Sequence, residues 1–364
     1  MEKIKVAVLF GGISGEHEIS LISAKSVAKN LDTRQFDISL IGIERNYSWY
    51  LQDLKQLQDS SKGFVIDQKR KVLLSHKGVF LDAETGKQVL KVDVVFPVLH
   101  GPFGEDGKIQ GMLEMLNTPY VGCGVLSSAI AMDKDITKRL VEYAGYPIVP
   151  FLLLRKDNWD KNQIEALDGV TNRFQYPVFV KPCNMGSSVG IRKAKSKDEL
   201  HLAIEYAFQF DHKVLVEASI DAREIEISVL ENAQGELVVS TPGEIIPHHE
   251  FYSYDAKYID DNGAGFEIPA VLSDEQKNRI QELAKNIFRA LQCSGLARVD
   301  FFLDRNTNQF YLNEINTLPG FTAISMYPKL LEVTGVAYPK LLEELIFQGI
   351  ERFNQQQKLS NAKV

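Results

Sequence analysis

Two alternating apolar segments, Ala297 to Phe302 (ARVDFF) and Phe310 to Asn316 (FYLNEIN), carry Asp300, Glu314 and Asn316. The intervening LDRNTNQ is rich in Asp and Asn and predicts a hairpin connection. Side chains alternate between the faces of a strand, so Arg298 and Asp300 share one face, as do Glu314 and Asn316. Three oxygen donors on neighbouring strands suit Mg²⁺, which takes one or two carboxylates and completes its shell with water and phosphate oxygens. The pair therefore predicts a nucleotide site. An exposed hairpin whose acids face water is the reading these residues alone leave open.

Lys181 ends the apolar YPVFVKP and precedes a small loop in which Gly186, Ser187, Ser188 and Gly190 would allow a phosphate to approach the backbone. The spacing is not that of a P-loop, and a plain β-turn is the alternative. Gly11, Gly12, Ser14 and Gly15 lack the G-x-G-x-x-G spacing of a dinucleotide loop. Glu16, which follows them, is either a charge favoured by a helix dipole or a carboxylate that binds an ammonium at the carboxyl end of a sheet. His100 opens HGPFGEDG, where it either packs the loop or touches substrate. Glu217 and Glu224 flank ASIDAR, as a solvated connector or as an adenine contact and a ribose clamp. Lys257 and Tyr258, in SYDAKY, sit in a long loop where exposed Lys and Tyr are common.

The elements that must position these residues read as α/β. IKVAVLFGG is a β-branched run followed by a helical pattern from Glu16 to Leu31, the first step of a parallel sheet; VDVVFPVLHG is a second such strand. Helical patterns recur at Gly107 to Leu116 and Ser127 to Tyr143, the latter closed by Gly145 and Pro147. This predicts an open α/β domain to about residue 125. YPVFVKP and SSVGIRKA predict strands around the glycine loop, and Ser196 with Glu199 a capped helix through Phe208, together a small α+β unit. KVLVEASI and REIEISVL follow as strands, then a long irregular segment from about Thr241 to Ile268 with the character of a lid. Ser273 and Gln276 open a helix that ends before Gly295, and the tail from Pro328 is helical.

At 364 residues the chain is long enough for two or three domains, and its apolar and charged fractions are those of an ordinary globular protein. A net charge of -7 with scattered lysines argues against general nucleic-acid binding. Cys123, Cys183 and Cys293 lack metal-site pairing and fit a reducing compartment. The apolar start is too short for a signal peptide and no run would span a bilayer, so the cytoplasm is the expected location.

Taken in order, GGISGEHEIS, LHGPFGEDGKIQGMLE, AMDK, VKPCNMGSSVG, YDAKY, ARVDFFL and NEINTLPGFT closely resemble the D-alanine–D-alanine ligase family of the ATP-grasp superfamily, over nearly the whole chain. The resemblance implies three domains: an N-terminal open parallel α/β domain (1–125), a small central α+β subdomain (126–213) and a larger C-terminal α+β domain (214–364) with a lid at 241–268. It implies ATP-dependent joining of two D-alanine molecules for peptidoglycan precursors. ATP and two Mg²⁺ ions are the implied cofactors, with Mn²⁺ as a substitute, in a homodimer that binds neither nucleic acid nor membrane.

Carried over position by position, Lys134 and Lys181 would hold phosphates, Glu217 and Ile220 the adenine, and Glu224 the ribose. Asp300, Glu314 and Asn316 would bind the metals. Glu16 would grip the first D-alanine ammonium with His100 nearby, hydrogen-bonded to Ser187 and Tyr258. Arg298 and the N–H of Gly320 would polarise the reacting carboxyl, Ser325 would hold the second carboxylate, and Lys257 would reach the phosphates on lid closure. Ala218 departs from the lysine of several relatives beside the adenine, and Cys183 to Met185 is a variable stretch; neither alters a named role. A depsipeptide-forming or D-alanyl-D-serine-forming ligase is the same-class rival, with Tyr258 as discriminator. A non-catalytic nucleotide sensor is the other rival, and the intact Asp300, Glu314, Asn316, Lys181 and Arg298 argue against it.

Overall fold

A computed structural model of the chain describes residues 2–55, 65–247 and 264–361. β1 (Ile4–Gly11) leads through α1 (His17–Asn30) to β2 (Phe36–Ile43), and β3 (Trp49–Gln52), β4 (Lys71–Leu74), β5 (Val79–Asp82), β6 (Gln88–Lys91) and β7 (Val94–Val98) complete a sheet of order β6-β5-β4-β3-β2-β1-β7. Only β2-β1-β7 is parallel; β3 to β6 extend the β2 edge antiparallel. The sheet thus keeps the expected parallel core, β2-β1-β7, and is extended by antiparallel strands, of which β2–β3, β4–β5 and β5–β6 are joined by connections too short for a crossover. β1 is buried on both faces, which is why its sequence is a continuous apolar run. Val6, Val8 and Phe10 pack with α1 and with Leu341, Leu342, Leu345 and Ile346 from the far C-terminus. Ala7 and Leu9 pack with Ile109 and Leu113 of α2 (Lys108–Met115) on the other side.

The helix expected over 127–143 is two, α3 (Val125–Met132) and α4 (Lys134–Tyr143). Asp133 breaks it by taking an extended ψ of 99° and accepting from the Ile136 N–H as the cap of α4. The break leaves Lys134 at the head of a helix.

The central sheet is antiparallel, in the order β10-β9-β11-β8. β8 (Phe151–Arg155), the short α5 (Lys156–Trp159), α6 (Gln163–Arg173), β9 (Val178–Pro182), β10 (Arg192–Ala194), α7 (Lys197–Ala207) and β11 (Lys213–Ala218) build it, with α6 and α7 supplying its core. β10 is shorter than the expected SSVGIRKA strand because Ser187 and Ser188 take left-handed φ of 51° and 60°. Ser196 caps α7 by accepting from Glu199 N–H, while Glu199 reaches back to the N–H of Lys195 rather than that of Ser196.

β12 (Ala222–Glu231), β13 (Leu237–Val239), β14 (Gly243–Pro247), β15 (Ala264–Glu267), β16 (Leu296–Asp304) and β17 (Phe310–Asn316) form the third sheet, β15-β14-β12-β16-β17, with β13 also on β12. The segment expected to be irregular from Thr241 to Ile268 therefore begins and ends as a paired β14–β15 ladder. α8 (Asp274–Ala290) starts with the complete Ser273–Gln276 capping box. α9 (Met326–Val333) and α10 (Tyr338–Asn361) follow, separated at Gly335, which takes φ 105°. The expected division at 213 falls inside β11, and α3 and α4 pack by Ala131 and Val141 into the core under β12 and β16. Cys123, Cys183 and Cys293 are free and buried. No described helix is long and apolar enough to cross a membrane.

Candidate active site

The β16–β17 hairpin forms as its alternation predicts. Asp304 accepts from the N–H groups of Asn306 and Thr307 to shape the turn, and the ladder sets Arg298 opposite Asn316 and Asp300 opposite Glu314. β12, on the other side of β16, sets Glu226 opposite Asp300. Arg298 donates Nε to Asp300 Oδ1 at 2.8 Å and Nη2 to Oδ2 at 2.7 Å, and its Nε lies 3.1 Å from Glu226 Oε2. Burial alone would lower the guanidinium pKa, but Asp300 and Glu226 raise it well above its ordinary value. Lys134 Nζ lies 3.5 Å from Glu314 Oε2 and donates to the Met185 carbonyl at 2.7 Å. Asn316 Oδ1 accepts from Leu318 N–H at 3.0 Å.

Among the described residues no three His, Cys, Asp or Glu gather as a metal cluster. The hairpin instead offers two facing carboxylates and a neighbouring amide, an all-oxygen set that fits Mg²⁺ shared with substrate phosphates.

Lys181, at the end of β9, lies 2.6 Å from Glu217 Oε2 and 3.4 Å from Asn313 Oδ1, so it joins the central sheet to β17. The other oxygen of Glu217 is 2.9 Å from Lys138 Nζ. Burial would raise the Glu217 pKa, yet the two ammoniums outweigh it and hold the carboxyl at about 2. Ile220 is half-buried in the connection from β11 to β12, and Glu224 lies opposite Ile245 and Phe302, on the same face of β12 as Glu226.

The other end of the site is assembled from loops. Glu16 is the N-cap residue of α1, and its Oε1 accepts from the Ser187 hydroxyl. Ser14 donates to the His100 carbonyl at 2.6 Å and accepts from Glu16 N–H at 3.2 Å, tying the two loops together. Gly101 has φ 73°, and a Cβ there would stand 2.7 Å from Glu16 Oε2. Only glycine fits both the turn and the carboxylate. His100 is buried, with Nε2 3.0 Å from Ser23 Oγ, Nδ1 3.2 Å from the Leu318 carbonyl and 3.8 Å from Glu105 Oε1. Burial opposes its protonation, but Glu105 and Glu16 raise its pKa overall. Ser325 is the N-cap residue of α9, but its side chain makes no capping bond; its Oγ accepts from Thr322 N–H at 3.0 Å and lies where a Cβ on Gly320 would approach to 2.6 Å.

A cavity of about 620 Å³ joins these ends. Glu16, His100, Lys134, Ser187, Arg298, Glu314, Asn316, Gly320 and Ser325 line it. Lys181, Glu217, Ile220, Glu224 and Asp300 are not on that lining; the first four sit toward the junction of the central and C-terminal sheets, and Asp300 is buried beneath Arg298. Lys257 and Tyr258 lie outside the described residues. Sequence reasoning missed Glu226, Lys138 and Glu105. Glu226 was readable from the E-I-E-I alternation of β12, and Lys138 from its place one turn after Lys134; Glu105, in an irregular loop, carried no such signal.

Residues 5–123 match the family model for the D-ala D-ala ligase N-terminus, and residues 140–347 that for the D-ala D-ala ligase C-terminus. This chain belongs to the D-alanine–D-alanine ligase family. It is 47% identical to D-alanine–D-alanine ligase A of Bradyrhizobium diazoefficiens, over 98% of this chain and 98% of that protein. Among solved structures, the D-alanine–D-alanine ligase from Coxiella burnetii aligns with TM-score 0.86 and 37% identity, over 100% of this chain and 98% of the other. The VanG D-Ala:D-Ser ligase from Enterococcus faecalis aligns with TM-score 0.82 and 37% identity, over 96% of this chain and 100% of the other. The fold is accordingly that of the ATP-grasp ligases, its three sheets corresponding to N-terminal, central and C-terminal domains.

Proposed function

We propose that the chain joins two D-alanine molecules at the expense of ATP, through an acyl phosphate, to make D-alanyl-D-alanine for cell-wall precursors in the cytoplasm. The observation that carries this reading is one cavity with a carboxylate at one end, Glu16, and a cluster of cations and oxygen donors at the other. Glu16, held by Ser187, binds the ammonium of the first D-alanine and so directs its carboxylate toward Arg298. A free carboxylate is a poor acceptor for an amine, and transfer of the ATP γ-phosphoryl group activates it. Lys134 and Lys181 hold the phosphates; Glu217, Ile220 and Glu224 hold the adenine and ribose.

Asp300, Glu314 and Asn316 are the residues that would hold Mg²⁺, or Mn²⁺ in its place. When bound it supplies Lewis-acid charge that the phosphate oxygens need. Arg298 and the Gly320 N–H offset charge on the carboxyl oxygen as the second amine attacks. The second carboxylate docks at Ser325 and the N-terminal turn of α9, where helix-end N–H groups favour an anion. Lys257 and Tyr258 close over the phosphates and Glu16 from the lid, and two copies form the working homodimer.

Incubation with ATP, Mg²⁺ and D-alanine should release phosphate and D-alanyl-D-alanine in equal amounts. L-alanine, D-serine and D-lactate serve as second-substrate controls, and preference for D-serine or D-lactate over D-alanine would overturn the substrate assignment.

A further inference from the structure

α4 carries two lysines one turn apart on the same face. Lys134 reaches the loop at Met185 and the metal hairpin, whereas Lys138 turns inward and is 1% exposed. Its Nζ lies 2.9 Å from Glu217 Oε1, with the Phe151 ring 6.0 Å away. Glu217 is itself 2% exposed, and its second oxygen is 2.6 Å from Lys181. One buried carboxylate thus sits between two ammoniums, and of these it is Lys181 that reaches onward to β17.

A lysine is almost never buried this deeply unless it is paired, and an apolar pair would often fill the space at no greater cost, so the pair invites a use for its charge. The use follows from what Lys181 must do. An arriving polyphosphate competes with Glu217 for the Lys181 ammonium, and without a second cation the buried Glu217 carboxylate would keep only the neutral adenine contact and no counter-ion. We propose that Lys138 is a positioning residue, the resident counter-ion of Glu217, whose presence frees Lys181 to pair with the nucleotide phosphates.

This rests on the reading that Lys181 meets those phosphates. Lys138 is 1% exposed and its Nζ is turned onto Glu217 rather than toward the cavity. Its effect therefore runs through Glu217, which is the feature a test can isolate.

The experiment is calorimetric titration of the full-length protein with Mg²⁺-ADP, which needs no turnover. Lys138→Met should weaken ADP binding roughly tenfold or more, because Lys181 becomes the sole partner of Glu217, while Lys138→Arg should restore most of the affinity. In a background of Glu217→Gln the carboxylate is gone, so adding Lys138→Met should change ADP affinity by less than about threefold. This pair carries no stranded carboxylate and keeps the comparison available if Lys138→Met alone does not fold. A full tenfold loss in the Glu217→Gln background would overturn the proposal, since Lys138 would then act on the nucleotide without Glu217. Lys181→Met separates the two readings. If it leaves ADP affinity unchanged, the phosphate-site assignment falls and this proposal with it; if it weakens binding while Lys138→Met does not, the proposal alone falls.

Discussion

The β16–β17 hairpin and the Glu16 end of the cavity solve the same problem, holding charged groups at fixed separations, by opposite means. Arg298, Asp300, Glu314 and Asn316 come from one strand pair, so the pleat and the ladder place them. Glu16 meets Ser187 across 171 residues of sequence, and the His100 loop joins Ser14 across 86. There the backbone bends into uncommon conformations, with φ 51° at Ser187 and 73° at Gly101. In the hairpin each charge already has a partner of the opposite sign, Asp300 with Arg298 and Glu314 with Lys134. Replacing the part-exposed Glu314 there should change chemistry and spare the fold, whereas changes in the loop end should disturb geometry and chemistry together.

The largest effect expected is at the hairpin. Glu314→Gln keeps the shape of a strand residue whose side chain is part-exposed, but removes the carboxylate proposed to hold Mg²⁺. Turnover should fall by about two orders of magnitude or more, with the melting temperature moved by less than about 2 °C. Near-normal turnover at limiting Mg²⁺ would remove Glu314 from the metal site.

Gly101→Ala is the matching change at the loop end. It adds a Cβ at φ 73°, 2.7 Å from Glu16 Oε2, so it should cost about 1–2 kcal/mol of stability and raise the KM for D-alanine roughly tenfold. Denaturant unfolding and steady-state kinetics would show both, and ADP affinity should stay within about twofold. An unchanged KM would show that the Gly101 turn does not set the position of Glu16.

The contrast also explains what could be read in the sequence. The hairpin announced itself by period-2 alternation and an Asp/Asn-rich turn, and α8 by Ser273 and Gln276, because each is specified within a few residues. The break at Asp133 was not legible, since Lys213 and the Cys183 carbonyl, which engage Asp133 and Lys134, come from the central domain. Nor did two serines in a glycine-flanked loop signal that they, too, would take positive φ. The β3–β6 extension lacks any strong periodic run. The choice between the two readings of Glu16 and of His100, and the whole role of Ser325, came from family resemblance; in composition each is an ordinary polar residue at a helix end or a turn. Pairings such as Arg298 with Glu226 and Lys138 with Glu217 join separate elements and exist only in the folded chain.

A smaller effect sharpens the comparison by pH. His100 has a pKa raised above its ordinary 6.5: burial opposes the charge, but Glu105 and Glu16 overcome it. With the folded value above the unfolded one, its contribution to stability is complete below pH 6.5 and is lost as pH rises through the raised value. Glu105→Gln should shift the His100 transition to lower pH, by NMR titration of the imidazole, and lower the melting temperature most on the acid side of that transition. A transition unmoved by Glu105→Gln would show that the loop does not hold a charged His100.

The central step of the proposed reaction is activation of one D-alanine carboxylate by phosphoryl transfer before the second amine attacks. D-Alanine labelled with oxygen-18 in its carboxyl group, incubated with unlabelled ATP and Mg²⁺, tests this in one turnover. Because the attacking carboxylate oxygen leaves with the phosphoryl group, the released inorganic phosphate should carry a single labelled oxygen by mass spectrometry. Phosphate free of label, formed alongside dipeptide, would contradict it.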